Sequence, residues 1–201
     1  MARNENPRRH TREDVARMAL KILDDEGLAE LTMRRLGAAL SVQPSALYWH
    51  FPNKQSLLAE LADRIVAPAA SARPRSDGGD QTRSQAVALR NALLAYRDGA
   101  EVVSSTLAMG LGSTTAHDGL AAAIAADGSD ADVARRAADV LLHFVLGHVS
   151  QEQQRMQYDS LGVVAPGLSL SADRDEDAAA DFAFGVDLFV RGIEVSRTSP
   201  R

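Results

Sequence analysis

Apolar residues along this chain recur at the three- and four-residue spacing of a helix, and no stretch shows the strict alternation of a half-buried strand. Val15, Met18, Ala19, Ile22 and Leu23 share one helical face. Thr11 stands just before that face with Asp14 three residues on, a capping-box spacing with Asp in place of the usual Glu or Gln. Gly27 follows the last turn as a C-cap. Thr32 is the next N-cap candidate, and Leu36, Ala39 and Leu40 form a short apolar face behind it. Ser41-Val42-Gln43 breaks the pattern. Pro44 then suits the first turn of a third helix, where its missing N–H costs nothing. Pro52 closes that helix, and Asn53 caps a fourth with Leu57, Leu58, Leu61 and Ile65 on one side.

Residues 67–81 shift in composition, with Pro68, Pro74, Gly78 and Gly79, and read as a linker or exposed loop. Helices are predicted again over 82–96, 101–110, 117–126, 130–156 and 176–196. A second connection spans about 157–175, marked by Pro166, Gly167 and the acidic run from Asp173 to Asp177. The expected architecture is all-α. A helix-turn-helix domain of three helices occupies 1–66, and a helical domain occupies 67–201.

Composition narrows the chemistry. The chain has 201 residues and no cysteine, which excludes disulfides, thiolate metal sites and cysteine nucleophiles. Net charge is −5 but uneven: residues 1–65 carry ten Lys/Arg against nine Asp/Glu, and the rest carry twelve against eighteen. The stretch Leu31–Ala59 holds no acid at all, while Arg34, Arg35, His50 and Lys54 lie inside it. An acid-free basic segment in a mildly acidic chain suits a local polyanion site, or is chance clustering. Met1–His10 is polar and basic without an apolar core, and the longest apolar run, Val140–Val149, contains two His. The expected location is the cytoplasm, with no membrane partner.

Two short helices joined by three or four residues make a helix-turn-helix. Its second helix must enter a major groove roughly 12 Å wide, with small or hydrogen-bonding residues at its N-terminal face. Gln43, Ser45 and Ala46 meet that need. Thr32, Tyr48, His50 and Lys54 offer phosphate donors on the flanks, and Lys54 opens the next helix, whose N-terminus favours an anion. Val42 and Leu47 face inward to hold the pair together.

The segment LTMRRLGAALSVQPSALYWHFPNKQSLL, Leu31–Leu58, resembles the DNA-binding domain of the TetR family of bacterial repressors. The run from Leu47 to Lys54 carries the likeness most strongly. Arg97–Val102, His143-Phe144 with Leu146-Gly147, and Phe184-Gly185 through Gly192–Glu194 resemble the regulatory core of the family's tetracycline-binding branch. The resemblance implies that Arg34 reaches a guanine and that Gln43, Ser45 and Ala46 face bases. It further implies that Thr32, Tyr48, Trp49, His50 and Lys54 touch or support the phosphate backbone. Arg35 reads instead as a solvated helix charge. Met33, Pro44, Ser45 and Ala46 depart from that branch, so a different operator is expected.

The regulatory half departs from the branch at its ligand positions. Where a His and a Glu help to hold the drug's magnesium ion, this chain has Val103 and Gln151, and Ala70 and Gln85 stand at two further drug-contacting positions. Valine has no donor atom and neutral Gln is a poor magnesium ligand, so no metal chelate and no cofactor are expected. Leu89, Leu93, Val103, Leu107, Met109, Leu120 and Ile124 would line a mainly apolar cavity, with Gln85, Thr106, His143 and Gln151 as its polar contacts. Taken singly, each apolar member reads first as ordinary core. His143 and His148 lie five apart and make no metal pair, and no catalytic constellation is present.

Two late helices carry apolar stripes, with Val133, Ala137 and Val140 on one and Phe182, Val186, Phe189 and Ile193 on the other. The resemblance implies a homodimer joined there through a four-helix bundle, against the alternative of a monomer core. The expected function is a repressor released from a palindromic double-stranded operator by a small, mainly apolar inducer. A regulator without an inducer, controlled by a partner protein or by abundance, is the second reading. An enzyme using the C-terminal cavity is a remote third.

Overall fold

The computed structural model describes residues 10–71, 81–112, 114–163 and 172–198, the last segment with side chains from 177 to 196. The described residues form helices and turns only. The order is α1 (Arg12–Glu26), α2 (Met33–Ala39), α3 (Pro44–Leu47), α4 (Lys54–Ala70), α5 (Gln81–Leu94), α6 (Gly99–Ala108), α7 (Thr115–Ala126), α8 (Ala131–Ser160) and α9 (Ala172–Thr198). Helices α1–α3 and the first half of α4 form the head, and α5–α9 the body. One continuous apolar cluster runs from Val15 in the head to Val190 in the body. It passes through α4, which packs against α1 on one side and α5, α6 and α7 on the other.

The caps follow the sequence signals. The Thr11 hydroxyl accepts from the Asp14 N–H at 3.1 Å, and the Asp14 carboxylate accepts from the Thr11 N–H at 2.9 Å. Asn53 and Ser56 form the equivalent box at the start of α4. The buried face of α1 is Val15, Ala16, Ala19, Ile22 and Leu23.

Several boundaries differ from the periodicity. α4 continues past Pro68 to Ala70, although proline removes a helical hydrogen bond. Ala69 is buried there, and the Gln85 amide donates to its carbonyl at 3.3 Å, so packing against α5 carries the extra turn. α8 runs to Ser160, four residues beyond the predicted end. Its last turns are held by Gln153 and Gln157. Gln153 is buried; its amide donates to the Leu93 and Tyr96 carbonyls at 3.0 and 2.8 Å, and its oxygen accepts from the Ala100 N–H at 3.2 Å. Gln157 donates to Asp98. The last helix covers 172–198, wider than the predicted 176–196, and most of the second connection lies outside the described residues.

Candidate nucleic-acid interface

Thr32 caps α2 by accepting from the Arg35 N–H at 3.0 Å, and Met33 and Leu36 turn inward. Ser41 then adopts the left-handed region at φ 55°, and the Val42 N–H returns to the Gly37 carbonyl at 2.9 Å. This is a Schellman ending with serine where glycine is usual. Gly37 is required by closeness: a Cβ there would lie 2.9 Å from the Val42 carbonyl oxygen and 3.3 Å from the Pro44 nitrogen. The missing side chain lets the start of α3 sit directly on α2.

α3 is a single turn. Its anchors are Leu47 and Phe51, both fully buried, each contributing about 1.5–3 kcal/mol. With those inside, Gln43, Ser45 and Ala46 are left on the outer face. Tyr48 is 48% exposed, and Trp49, the only tryptophan, is 90% exposed. An uncovered Trp beside an uncovered Tyr marks a surface meant for contact. Thr32 and Arg34 are exposed on α2, and His50 and Lys54 are half-buried at its border. Arg35 is taken up by an ion pair with Glu26 at 3.0 Å, whereas Arg34 has no carboxylate partner among the described residues.

Periodicity gave no hint of the polar frame around this surface. Arg12 donates to the His50 carbonyl at 2.7 Å, pairs with Glu60 at 2.7 Å and stacks over the Phe51 ring at 4.1 Å. Arg64 bridges Glu60 at 2.8 Å and Glu13 at 2.6 Å. Hydrogen bonds from Arg64 hold the Glu13 carboxyl below the usual range. Partial burial pushes Glu60 upward, but hydrogen bonds from Arg12 and Arg64 outweigh it and its carboxyl also sits low. Head and body meet again where Asp98 accepts from the Leu28 N–H at 2.8 Å and from Gln157.

In the body, a cavity of about 470 Å³ opens between α6, α7 and α8. Leu107, Ala108, Leu142 and Leu146 supply its apolar lining, and His117, Arg135, Asp139 and His143 its polar lining. His117 ties α7 to α8, with its Nε2 at 3.2 Å from the Arg135 carbonyl and 3.3 Å from Asp139. Of the pocket candidates from sequence, Leu107 and His143 line this cavity. Val103 and Thr106 lie with Leu107 beside a far smaller void under α4. Leu89, Leu93, Leu120 and Ile124 are buried in the core, Ile124 beside a small void that Thr82 and Asp127 also line. Gln85 donates to Ala69, Gln151 is exposed on α8, and Met109 is exposed at the end of α6. Sequence reading missed His117, Arg135 and Asp139; the run Arg135, Asp139, Leu142, His143 and Leu146 at helical spacing was the signal for the two on α8, and His117, on α7, had none. Val103 is buried, and its side chain has no atom that could ligate a metal ion.

The α8 and α9 stripes divide. Phe182 and Val186 are buried within their own chain, and Phe182 lies against Phe144 at 5.7 Å between ring centres. Val133, Ala137, Phe189 and Ile193 are half-buried, and Val140 is exposed. The outward apolar set on α9 is Phe184, Leu188 and Val195. Period alone could not assign the two faces, because both are apolar. A Cβ at Gly185 would overlap the Phe144 ring, so this glycine sets how closely α9 lies on α8.

A capped helix-turn-helix with an uncovered reading face, carried on a helical body with a cavity, defines a DNA-binding transcriptional regulator of the all-α class. Residues 17–61 match the family of bacterial regulatory proteins described as the tetR family, and residues 72–163 match the tetracyclin repressor-like C-terminal domain. The chain is 34% identical over 197 residues to the class A tetracycline repressor protein from transposon 1721 of Escherichia coli, covering 91% of this chain and 90% of that one. The crystal structure of Mycobacterium smegmatis BioQ superposes with a TM-score of 0.78 at 38% identity, covering 92% of this chain and 97% of that chain. A structure of BioQ with its natural double-stranded DNA operator matches with a TM-score of 0.75 at 37% identity, covering 92% and 98%. The chain belongs to the TetR family. Among its described residues no helix is long and apolar enough to cross a membrane, and no three His, Asp or Glu side chains are grouped to hold a metal ion.

Proposed function

We propose that this regulator works as a homodimeric repressor that binds a palindromic operator and is released by a small molecule with an apolar body. The observation that carries the reading is the reading face itself. A one-turn helix anchored by Leu47 and Phe51 leaves Gln43, Ser45, Ala46, Tyr48 and Trp49 uncovered together. Gln43, Ser45 and Arg34 read base edges, with Ala46 packed beside them. Thr32, Tyr48, Trp49, His50 and Lys54 fix register on the sugar-phosphate backbone. One short helix offers little affinity alone, so a second copy reads the neighbouring half-site roughly 34–36 Å away. The outward apolar residues of α8 and α9, Val140, Phe184 and Leu188, form the interface.

The inducer occupies the cavity between α6, α7 and α8, its apolar part on Leu107 and Leu142 and its polar groups towards His117, Asp139 and His143. It favours a conformation in which α4, which is shared by head and body, carries the two reading faces out of register. The strength of that effect is limited by the ligand's differential affinity for the two conformations. The test is selection of bound sequences from random duplex DNA at near-physiological salt. A palindromic motif is expected. Weak, salt-sensitive binding without a motif would remove the sequence-specific reading.

A further inference from the structure

Helices of seven and four residues are too short to hold themselves in water, and each leaves its last carbonyls without intrahelical partners. Two side chains at the start of α1 bond to carbonyls at the end of α2 and in the turn that follows α3. His10 Nε2 lies 2.9 Å from the Leu40 carbonyl oxygen, at the end of α2. Since a carbonyl only accepts, His10 donates. Arg12 Nη1 donates to the His50 carbonyl at 2.7 Å, just past the end of α3. The flank of α1 therefore reaches the C-terminal ends of both helices of the reading motif, thirty and thirty-eight residues away.

We infer that His10 and Arg12 are positioning residues, His10 on the end of α2 and Arg12 on the turn that follows α3, and that together they hold the reading helix at its working angle. Arg12 is the principal member because three contacts converge on it. Its guanidinium holds the His50 carbonyl, is itself held by Nε and Nη2 bonds to Glu60 at 3.1 and 2.7 Å, and covers the ring of buried Phe51. Glu60 is held in turn by Arg64, which is anchored on Glu13. The circuit joins α1, the end of α3 and α4 through side chains alone. It ties the reading helix to α4, the helix shared with the body, so movement of α4 reaches α3 without passing through the turn between them. The planar fork of arginine is needed for this, since lysine brings one compact charge and cannot direct two N–H donors to one Glu60 oxygen while a third reaches His50.

This inference rests on the sequence-specific DNA-binding reading, and the alternative for Arg12 is a simple phosphate contact, because its side chain is half-exposed. Three variants separate the two. Each is measured in the full-length protein for affinity to the selected operator and to a scrambled duplex across a salt series, with thermal unfolding as the control for folding. Arg12→Lys keeps the charge and loses the fork. It is expected to lower operator affinity about fivefold or more, while scrambled-duplex affinity and the salt slope stay as in the wild type. Glu60→Gln removes a negative charge beside the DNA-binding face. Charge alone would tighten binding to every duplex; loss of the circuit weakens operator binding and narrows the ratio of operator to scrambled affinity. His10→Ala is expected to narrow that ratio to a smaller degree.

Amide exchange at His50 and Phe51 reads the cap with no DNA present, and it should quicken in Arg12→Lys and Glu60→Gln. Wild-type operator affinity in Arg12→Lys, tighter operator binding in Glu60→Gln, or unchanged exchange in both overturns the inference. If the wild type selects no operator, the functional reading fails instead, and the exchange measurement still decides the cap.

Discussion

Lys54 and Arg34 carry the same charge on the same surface, and the proposed function gives them different tasks. Lys54 opens α4 at its first turn, where the aligned backbone N–H groups already favour an anion and no acidic residue competes. Lys54→Ala should weaken binding to all duplexes alike and lower the magnitude of the salt slope by about 1. An unchanged slope would take Lys54 off the phosphate. Arg34 projects from α2 with no carboxylate partner among the described residues, so its fork is available for a base pair. Arg34→Ala should cost about 1–3 kcal/mol on the selected operator and relax preference at one position. Equal losses on every operator variant would remove that role. Both stood out as candidates in the sequence, Lys54 because the run from Tyr48 to Lys54 is both basic and aromatic, and Arg34 because the stretch Leu31–Ala59 holds no acid. That Arg35 is occupied by Glu26 while Arg34 has no carboxylate partner among the described residues was not legible, since their neighbouring positions on one short helix give no information about a partner nine residues back.

At the scale of elements, the helices of the body are joined by polar groups that periodicity does not register. Gln153 reads as one more polar residue on a long helix, yet it is buried and satisfies three backbone groups of the α5–α6 turn. Gln153→Leu keeps the volume and orphans those groups. Each costs about 1–3 kcal/mol when buried without a partner, so a destabilisation of several kcal/mol is expected in denaturant unfolding. A loss under about 1 kcal/mol would show that the turn finds other partners. The α5–α9 contact is expected to weaken in acid. The Asp187 carboxylate accepts from Arg83 at 2.5 Å, and that hydrogen bond holds its carboxyl below the usual range. A lowered carboxyl stabilises the fold in full above the free aspartate value of about 3.9 and loses that contribution as pH falls through its own lower value. Asp187→Asn should therefore be less stable than the wild type at pH 7, with the gap closing below about pH 4. A gap independent of pH would assign the effect to packing.

At the scale of the whole molecule, the decisive question is how the two apolar faces of α9 are used. Phe182, Val186 and Val190 pack on their own chain, while Phe184, Leu188 and Val195 remain outside. An uncovered apolar row beside exposed Val140 on α8 suits a second copy. Leu188→Glu should yield a monomer by sedimentation, with operator affinity reduced about 10²–10⁴-fold as the second half-site is lost. A persistent dimer would move the interface off this face. Read alone, the sequence determined the helical class, the start of each helix in the head, the reading motif and its exposed chemistry. Those features are local: a cap, a proline, a glycine and a 3.6-residue period act within a few positions of one another. Tertiary structure decided the rest. It selected which apolar stripe faces inward, carried α4 beyond Pro68, put His117 and Asp139 against one cavity, and brought His10 to the end of α2 and Arg12 to the turn after α3. Each of those depends on groups distant in sequence, whose meeting is set by the packing of whole helices and leaves no periodic trace along the chain.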